Sequence, residues 1–148
     1  VVGRDARISG PMVQELIVNT LVAMGMNVID VGLATTPTVE IAVTEEKAAG
    51  GIIITASHNP IEYNGLKFLQ NDGTFLSPDQ CKILFESVDN NLTLNEGERV
   101  ASVSNYTSAN QEHISKVLNA KSIDVFYYKI NVRDVVLSLW NTQDLPSS

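Results

Sequence analysis

The part of this 148-residue chain richest in reactive groups is Thr55-Ala56-Ser57-His58-Asn59-Pro60, followed by Ile61-Glu62-Tyr63-Asn64-Gly65-Leu66-Lys67. It brings together a hydroxyl nucleophile, an adjacent imidazole, Asn side chains, a proline that stiffens the turn, a glycine that admits close backbone approach, and a lysine. Three readings compete for such a set. A polar loop with a capping serine and a solvated histidine needs no reaction at all. A serine hydrolase places its nucleophile on a Gly-x-Ser-x-Gly elbow, and Ala56 with His58-Asn59 does not supply those glycines. Successive side chains at a strand end also point in different directions, which places His58 poorly as a base toward Ser57. A serine that carries a phosphoryl group would use His58, Lys67 and backbone N–H groups to offset the phosphate charge.

Something rigid has to present Ser57. Ile52-Ile53-Ile54-Thr55, just before it, is a β-branched run without polar alternation, as in a central strand covered on both faces. Upstream, Val1-Val2-Gly3 reads as the end of a strand, Arg4 to Gly10 as a loop, and Ser9-Gly10-Pro11 as a helix start capped by Ser9. Val13, Leu16, Ile17, Thr20, Leu21 and Met24 recur at spacings of three and four, one face of a helix that Gly25 ends. Asn27 to Val31 reads as a strand, Thr36-Pro37 as a second cap opening a helix to Ala49, and Gly50-Gly51 as the break before the isoleucines.

Downstream, Gly65 to Leu69 and Thr74 to Leu76 flank Asn71-Asp72-Gly73 as a short hairpin, and Ser77-Pro78-Asp79-Gln80 is a capping box opening a helix through Val88. Asp89 to Ser104 reads as a polar loop, and Asn110 to Leu118 as a short helix with Ile114, Val117 and Leu118 inward. Strands alternating with helices make consecutive βαβ units, so the expected class is α/β, a three-layer α/β/α domain with a mostly parallel mixed sheet. Ligands of such sheets bind beyond the carboxyl ends of strands. The Ser57 loop lies there, and so does the loop holding Arg4, Asp5 and Arg7. These arginines are candidate phosphate contacts, weighed against an internal Asp–Arg pair that pins the loop.

Composition narrows the partners. With 44% hydrophobic and 18% charged residues and a mean hydropathy of +0.05, the chain is expected to fold. Ten Lys and Arg against 17 Asp and Glu give a net charge of −7, the wrong sign for nucleic acid or anionic lipid. Apolar runs such as Ile52-Ile53-Ile54 are far shorter than a membrane span. The single cysteine, Cys81, and the lack of a basic then apolar opening make a reducing cytoplasm the expected compartment.

The 55–60 motif with Tyr63-Asn64-Gly65-Leu66-Lys67 closely resembles the phosphoserine loop of the α-D-phosphohexomutases, the family of phosphoglucomutase, phosphomannomutase and phosphoglucosamine mutase. Val2-Gly3-Arg4-Asp5-Ala6-Arg7-Ile8-Ser9-Gly10, Asp30-Val31-Gly32 and Thr35-Thr36-Pro37-Thr38 are similar to that family's first domain, in order and spacing. The resemblance implies phosphoryl transfer within a hexose phosphate. Phosphorylated Ser57 would donate to a free sugar hydroxyl, and the resulting 1,6-bisphosphate would turn over and return its other phosphoryl group. A hexose 1,6-bisphosphate would then be the activator. Ser57, His58 and Lys67 would be catalytic, with Lys67 in proton transfer and charge stabilisation, while Arg4, Arg7, Asn59 and Asn64 would meet substrate or phosphate. Mg²⁺ would take one oxygen from the phosphate on Ser57 and the rest from an Asp-Gly-Asp-x-Asp-Arg loop of a later domain, which this sequence lacks. Glucosamine phosphate is the first expectation for the substrate, with mannose and glucose phosphate as close alternatives.

The same resemblance sets the expected organisation. Residues 1–125 would be domain I, cut at its N-terminus, because the chain opens on Val1-Val2-Gly3 without an initiator methionine. Residues 126–148 would be a linker and the start of domain II, atypical because Val135 to Trp140 contains no glycine, and domains II–IV would be the missing partners. Such a piece is expected to be inactive alone and to expose Phe126, Tyr127, Tyr128, Leu139 and Trp140. The contrasting class is a non-catalytic α/β module that binds a phosphorylated metabolite through the same loop.

Overall fold

A computed structural model describes residues 1–89 and 101–120. In chain order the elements are β1 (Val2–Arg4), α1 (Gly10–Ala23), β2 (Val28–Leu33), α2 (Thr36–Glu45), β3 (Gly51–Ile54), β4 (Leu66–Leu69), α3 (Pro78–Asp89), β5 (Val103–Asn105) and α4 (Ala109–Asn119). The chain divides into two units, 1–110 and 111–148, and the sheet belongs to the first. The expected start of a second domain at 126–148 lies outside the described residues.

The isoleucine run does form an interior strand. β3 pairs in parallel with β1 and antiparallel with β4, and the order across the sheet is β4-β3-β1-β2-β5. Period-two alternation sends its side chains to both faces. Ile53 joins Val31, Val39, Ala42, Val43, Leu69 and Ala109 in the cluster built with α2. Ile54 joins Val2 and Val28 in the cluster that Val13, Ile17, Val18, Leu21 and Val22 of α1 cover. Fully burying one such side chain stabilises by about 1.5–3 kcal/mol, so the strand under the reactive loop is anchored from both sides. The mostly parallel mixed sheet with helices on both faces is the architecture expected from the sequence.

Several local expectations give way. Leu16 is 63% exposed, because a helix lying on a flat sheet buries the broader stripe 13, 17, 18, 21, 22 rather than the stripe through 16, 20 and 24. Thr35, not Thr36, caps α2, accepting from the Thr38 N–H at 3.4 Å, and the helix ends at Glu45, short of Ala49. Ser9 does stand at the N-cap of α1, its carbonyl accepting from the Val13 N–H at 3.1 Å, but its side chain makes no capping bond. Residues 103–105, the first two of them expected in a loop, pair in parallel with Val28–Asp30 as an edge strand whose exposed side chains give no alternation to read. Leu118 is exposed rather than inward.

Other expectations hold. Gly25 closes α1 with a positive φ, the Ser77–Gln80 box is reciprocal, and the hairpin turn forms, its second arm reduced to a Leu69–Phe75 bridge. Asp72 in that turn accepts from the Thr74 hydroxyl and N–H, which holds its carboxyl below the ordinary range. This support is complete above the ordinary carboxylate pKa and is lost as pH falls through the lowered one.

The strand order also creates a crevice. From β1 the chain crosses by α1 to β2 on one side, then by α2 to β3 on the other side of β1. Loops leaving the carboxyl ends of β1 and β3 therefore meet at a topological switch point. Close backbone packing below them requires glycine at position 3, where an added Cβ would lie 2.5 Å from Val39 Cγ2 and 2.7 Å from Val31 Cγ2. Gly3→Ala is expected to lower unfolding free energy by about 1–3 kcal/mol, read as a shifted midpoint in urea denaturation.

Candidate functional site

Ser57 stands three residues beyond the end of β3, exposed, with φ at +55°. For a non-glycine residue this left-handed conformation costs roughly 1–2 kcal/mol, so the surroundings must impose it. Thr55 supplies one restraint: its N–H donates to the Gly65 carbonyl at 2.9 Å, closing the neck of the loop. A side chain at 65 would put a Cβ 3.0 Å from the Thr55 carbonyl oxygen, which is why glycine suits that position. The Thr55 hydroxyl accepts from the Ser57 N–H at 3.1 Å and donates to Asp5 Oδ2 at 2.7 Å.

Asp5 leads to the strongest restraint. Its carboxylate accepts from the Arg7 N–H on Oδ1 and from Arg7 Nε on Oδ2, each at 3.1 Å. The rest of the Arg7 guanidinium reaches into the Ser57 loop. One terminal nitrogen donates to the carbonyls of Pro60 (2.7 Å) and Tyr63 (3.0 Å), the other to those of Ser57 and Asn59 (both 2.9 Å). A guanidinium has five N–H donors, and each is matched here by a protein acceptor. The Arg7 side chain is only 10% exposed. The loop is wrapped around a cation.

This geometry brings Ser57 and His58 together. Ser57 Oγ lies 3.0 Å from His58 Nδ1. The expectation that adjacent side chains diverge assumed extended backbone, and the left-handed residue 57 breaks it. With the ring proton on Nε2, Nδ1 accepts from the serine hydroxyl; with the proton on Nδ1, the ring donates to the serine oxygen.

The other candidates are placed differently. Asn64 Nδ2 donates to Ser9 Oγ at 3.1 Å, and Asn64 Oδ1 accepts from the Gly65 N–H at 2.9 Å, tying this loop to the one after β1. That bond takes up the Ser9 hydroxyl that the sequence suggested as a helix cap. Asn59 is exposed, and its carbonyl contacts Arg7. Arg4 turns inward, donating from Nε to Gln14 Oε1 at 2.7 Å and from a terminal nitrogen to the Asp5 carbonyl at 3.1 Å. Buried Gln14 passes the chain to Asp30, which also holds the Gly32 N–H at 2.7 Å. Lys67 pairs across from Ile53 on β4, with Nζ 5.7 Å from the centre of the Phe75 ring. Among the described residues no hydrogen bond joins Lys67 to Ser57 or His58.

Sequence reasoning missed the parts played by Thr55 and by the loop carbonyls. The Asp5-x-Arg7 spacing signalled the ion pair, but backbone acceptors leave no signature in side-chain identities. As for Mg²⁺, no group of three or more His, Cys, Asp or Glu among the described residues is arranged to hold a metal ion. The carboxylate that meets this loop, Asp5, is already engaged with Arg7 and Thr55. The described residues therefore do not form an octahedral oxygen site by themselves.

Fold and site define an α/β/α domain that presents an exposed serine, paired with a histidine, on a cation-clamped loop at the carboxyl end of an interior strand. A family model described as phosphoglucomutase/phosphomannomutase, alpha/beta/alpha domain I, matches residues 1–94. The chain belongs to that family. It is 37% identical over 116 residues to a phosphoglucosamine mutase of Levilactobacillus brevis, covering 76% of this chain and 26% of the relative. It is 46% identical over 86 residues to a phosphoglucomutase/phosphomannomutase of Thermococcus kodakarensis, covering 58% of this chain and 19% of the relative. The crystal structure of a phosphoglucomutase/phosphomannomutase family protein from Burkholderia thailandensis superposes with a TM-score of 0.63 at 29% identity, over 75% of this chain and 25% of that one. The chain thus spans about a quarter of the length of such relatives. No helix among the described residues is long and apolar enough to cross a membrane.

The clamp has a direct test. Asp5→Asn keeps the shape but replaces one carboxylate oxygen by an NH₂ that cannot accept from Arg7 or Thr55. It is expected to cost about 1–3 kcal/mol and to speed amide hydrogen exchange in residues 57–63 relative to the strands.

Proposed function

We propose that this chain is the serine-bearing first domain of a phosphohexomutase, interconverting a hexose 6-phosphate and a hexose 1-phosphate, with glucosamine phosphate as the first substrate to try. The reading is carried by the exposed Ser57 hydroxyl, 3.0 Å from His58 Nδ1 on a loop held against Arg7, in a chain of this family. Relatives named phosphoglucosamine mutase support starting with that sugar, and the relative named phosphoglucomutase/phosphomannomutase keeps mannose and glucose phosphate as the alternatives.

Phosphoryl transfer depends chiefly on positioning and electrostatics. In the forward half-reaction the bond between phosphorus and Ser57 Oγ breaks, and a bond forms from phosphorus to the free sugar hydroxyl oxygen. The proton of that hydroxyl moves to Ser57 Oγ, and His58 is the described group within reach to hold it during transfer. The sugar bisphosphate then turns over in the site, its other phosphoryl group passes to Ser57, and the serine proton goes to the sugar oxygen released. Lys67 enters the reading through its position in the motif. Leaving Phe75 for the phosphoryl group would exchange a contact worth about 0.5–1 kcal/mol for a charged one. Arg4 and Arg7 act from beneath, through the loops.

The test is intact mass and peptide mapping of the full-length protein after incubation with glucose 1,6-bisphosphate. One added phosphate on Ser57 is expected. Ser57→Ala should abolish that addition and lower mutase kcat by at least ~10³-fold, as expected when a covalent nucleophile is removed. Folded protein that takes no phosphate, or a Ser57→Ala variant that retains its function, would support the non-catalytic binding module instead. The 148-residue chain on its own, spanning a quarter of its relatives, is expected to show no mutase turnover in a coupled assay.

A further inference from the structure

The four carbonyls on Arg7 have a consequence for the opposite face of the loop. In a trans peptide the C=O and the following N–H point in opposite directions, and no cis peptide occurs among the described residues. Turning the carbonyls of Ser57, Pro60 and Tyr63 inward onto the guanidinium therefore turns the N–H groups of His58, Ile61 and Asn64 outward. The fourth carbonyl, of Asn59, precedes Pro60, which has no N–H to turn. None of these three N–H groups has a protein acceptor among the described residues. Residues 57–63 are exposed and Asn64 is half-buried at their edge, so the outward face is open at His58 and Ile61 and partly open at Asn64. Each peptide dipole, its negative end on a cation, presents its positive end outside.

Resting on the phosphoserine reading above, we propose that Arg7 is a positioning residue for phosphoryl transfer, orienting the peptide N–H groups of His58, Ile61 and Asn64 toward the phosphoryl oxygens on Ser57. Arg7 does not touch the phosphoryl group. It holds the donors where negative charge sits before and during transfer, so that little reorganisation is needed at the moment of reaction. A lysine cannot replace it, because one ammonium with three donors cannot span four diverging carbonyls and a carboxylate.

The experiment uses full-length protein charged with glucose 1,6-bisphosphate, with amide NMR resonances followed before and after phosphorylation. In the wild type the His58, Ile61 and Asn64 amide protons are expected to move downfield. In Arg7→Lys and Arg7→Ala these shifts should disappear, and kcat should fall roughly 10²-fold with KM changed far less. Guanidinium ion added to Arg7→Ala should restore several-fold of the lost rate, which a general loss of stability would not allow. Wild-type protein that accepts no phosphate removes the phosphoserine reading itself. Wild-type protein that is phosphorylated without moving these amides overturns this inference alone, and so do folded Arg7 variants that keep both shifts and rate. Should neither variant fold, the wild-type shifts decide.

Discussion

A guanidinium held under a loop by that loop's own carbonyls is the interaction on which this site depends. Arg7 contributes a full positive charge, nearly removed from solvent, and Asp5 supplies its counter-charge. Leaving such a cation buried and unpaired would cost several kcal/mol, so the loop gains by closing on it. The left-handed residue at Ser57 is one place where the closure stores strain. Ion pair and strain oppose each other, and the ion pair prevails because its hydrogen bonds are charge-assisted and every guanidinium N–H finds an acceptor.

Sheet topology makes this meeting possible. Arg7 follows β1, Ser57 follows β3, and the two strands are parallel neighbours, Arg4 standing beside Ile54 in register. The Asp5 N–H donates to the Ile54 carbonyl at 3.0 Å, so the two exits from the sheet are stitched together before either loop begins. Residues about fifty apart in sequence become neighbours at no further cost once the interior strand is buried. The mixed character of the sheet matters too, because antiparallel β4 returns the chain from the loop beside the strand that began it.

Much of this was legible in the residues themselves. Apolar Ile52-Ile53-Ile54 reported an interior strand because burial on both faces removes the need for alternation. Glycine and proline marked the element ends, and Asp5 with Arg7 at a spacing of two reported an ion pair. What escaped had backbone causes. The edge strand at 103–105 is held by main-chain pairing to β2, and its exposed side chains carry no hydrophobic code. The Ser57–His58 contact depends on one φ angle that the tertiary clamp imposes, whereas local propensity would have kept the two side chains apart. Ser9 illustrates competition: its hydroxyl suits a helix cap by type, but Asn64 claims it across 55 residues.

The bond from the Thr55 N–H to the Gly65 carbonyl closes the reactive loop at its neck, so residues 56–64 leave the sheet and return to it at almost one point. Such an Ω-shaped excursion is a cassette. Its length and side chains can change without disturbing strand register, provided the neck and the acceptors for Arg7 survive. Evolution can therefore retune what the loop meets while leaving the β3–β4 hairpin untouched, and the same segment is a natural unit for transplantation between relatives.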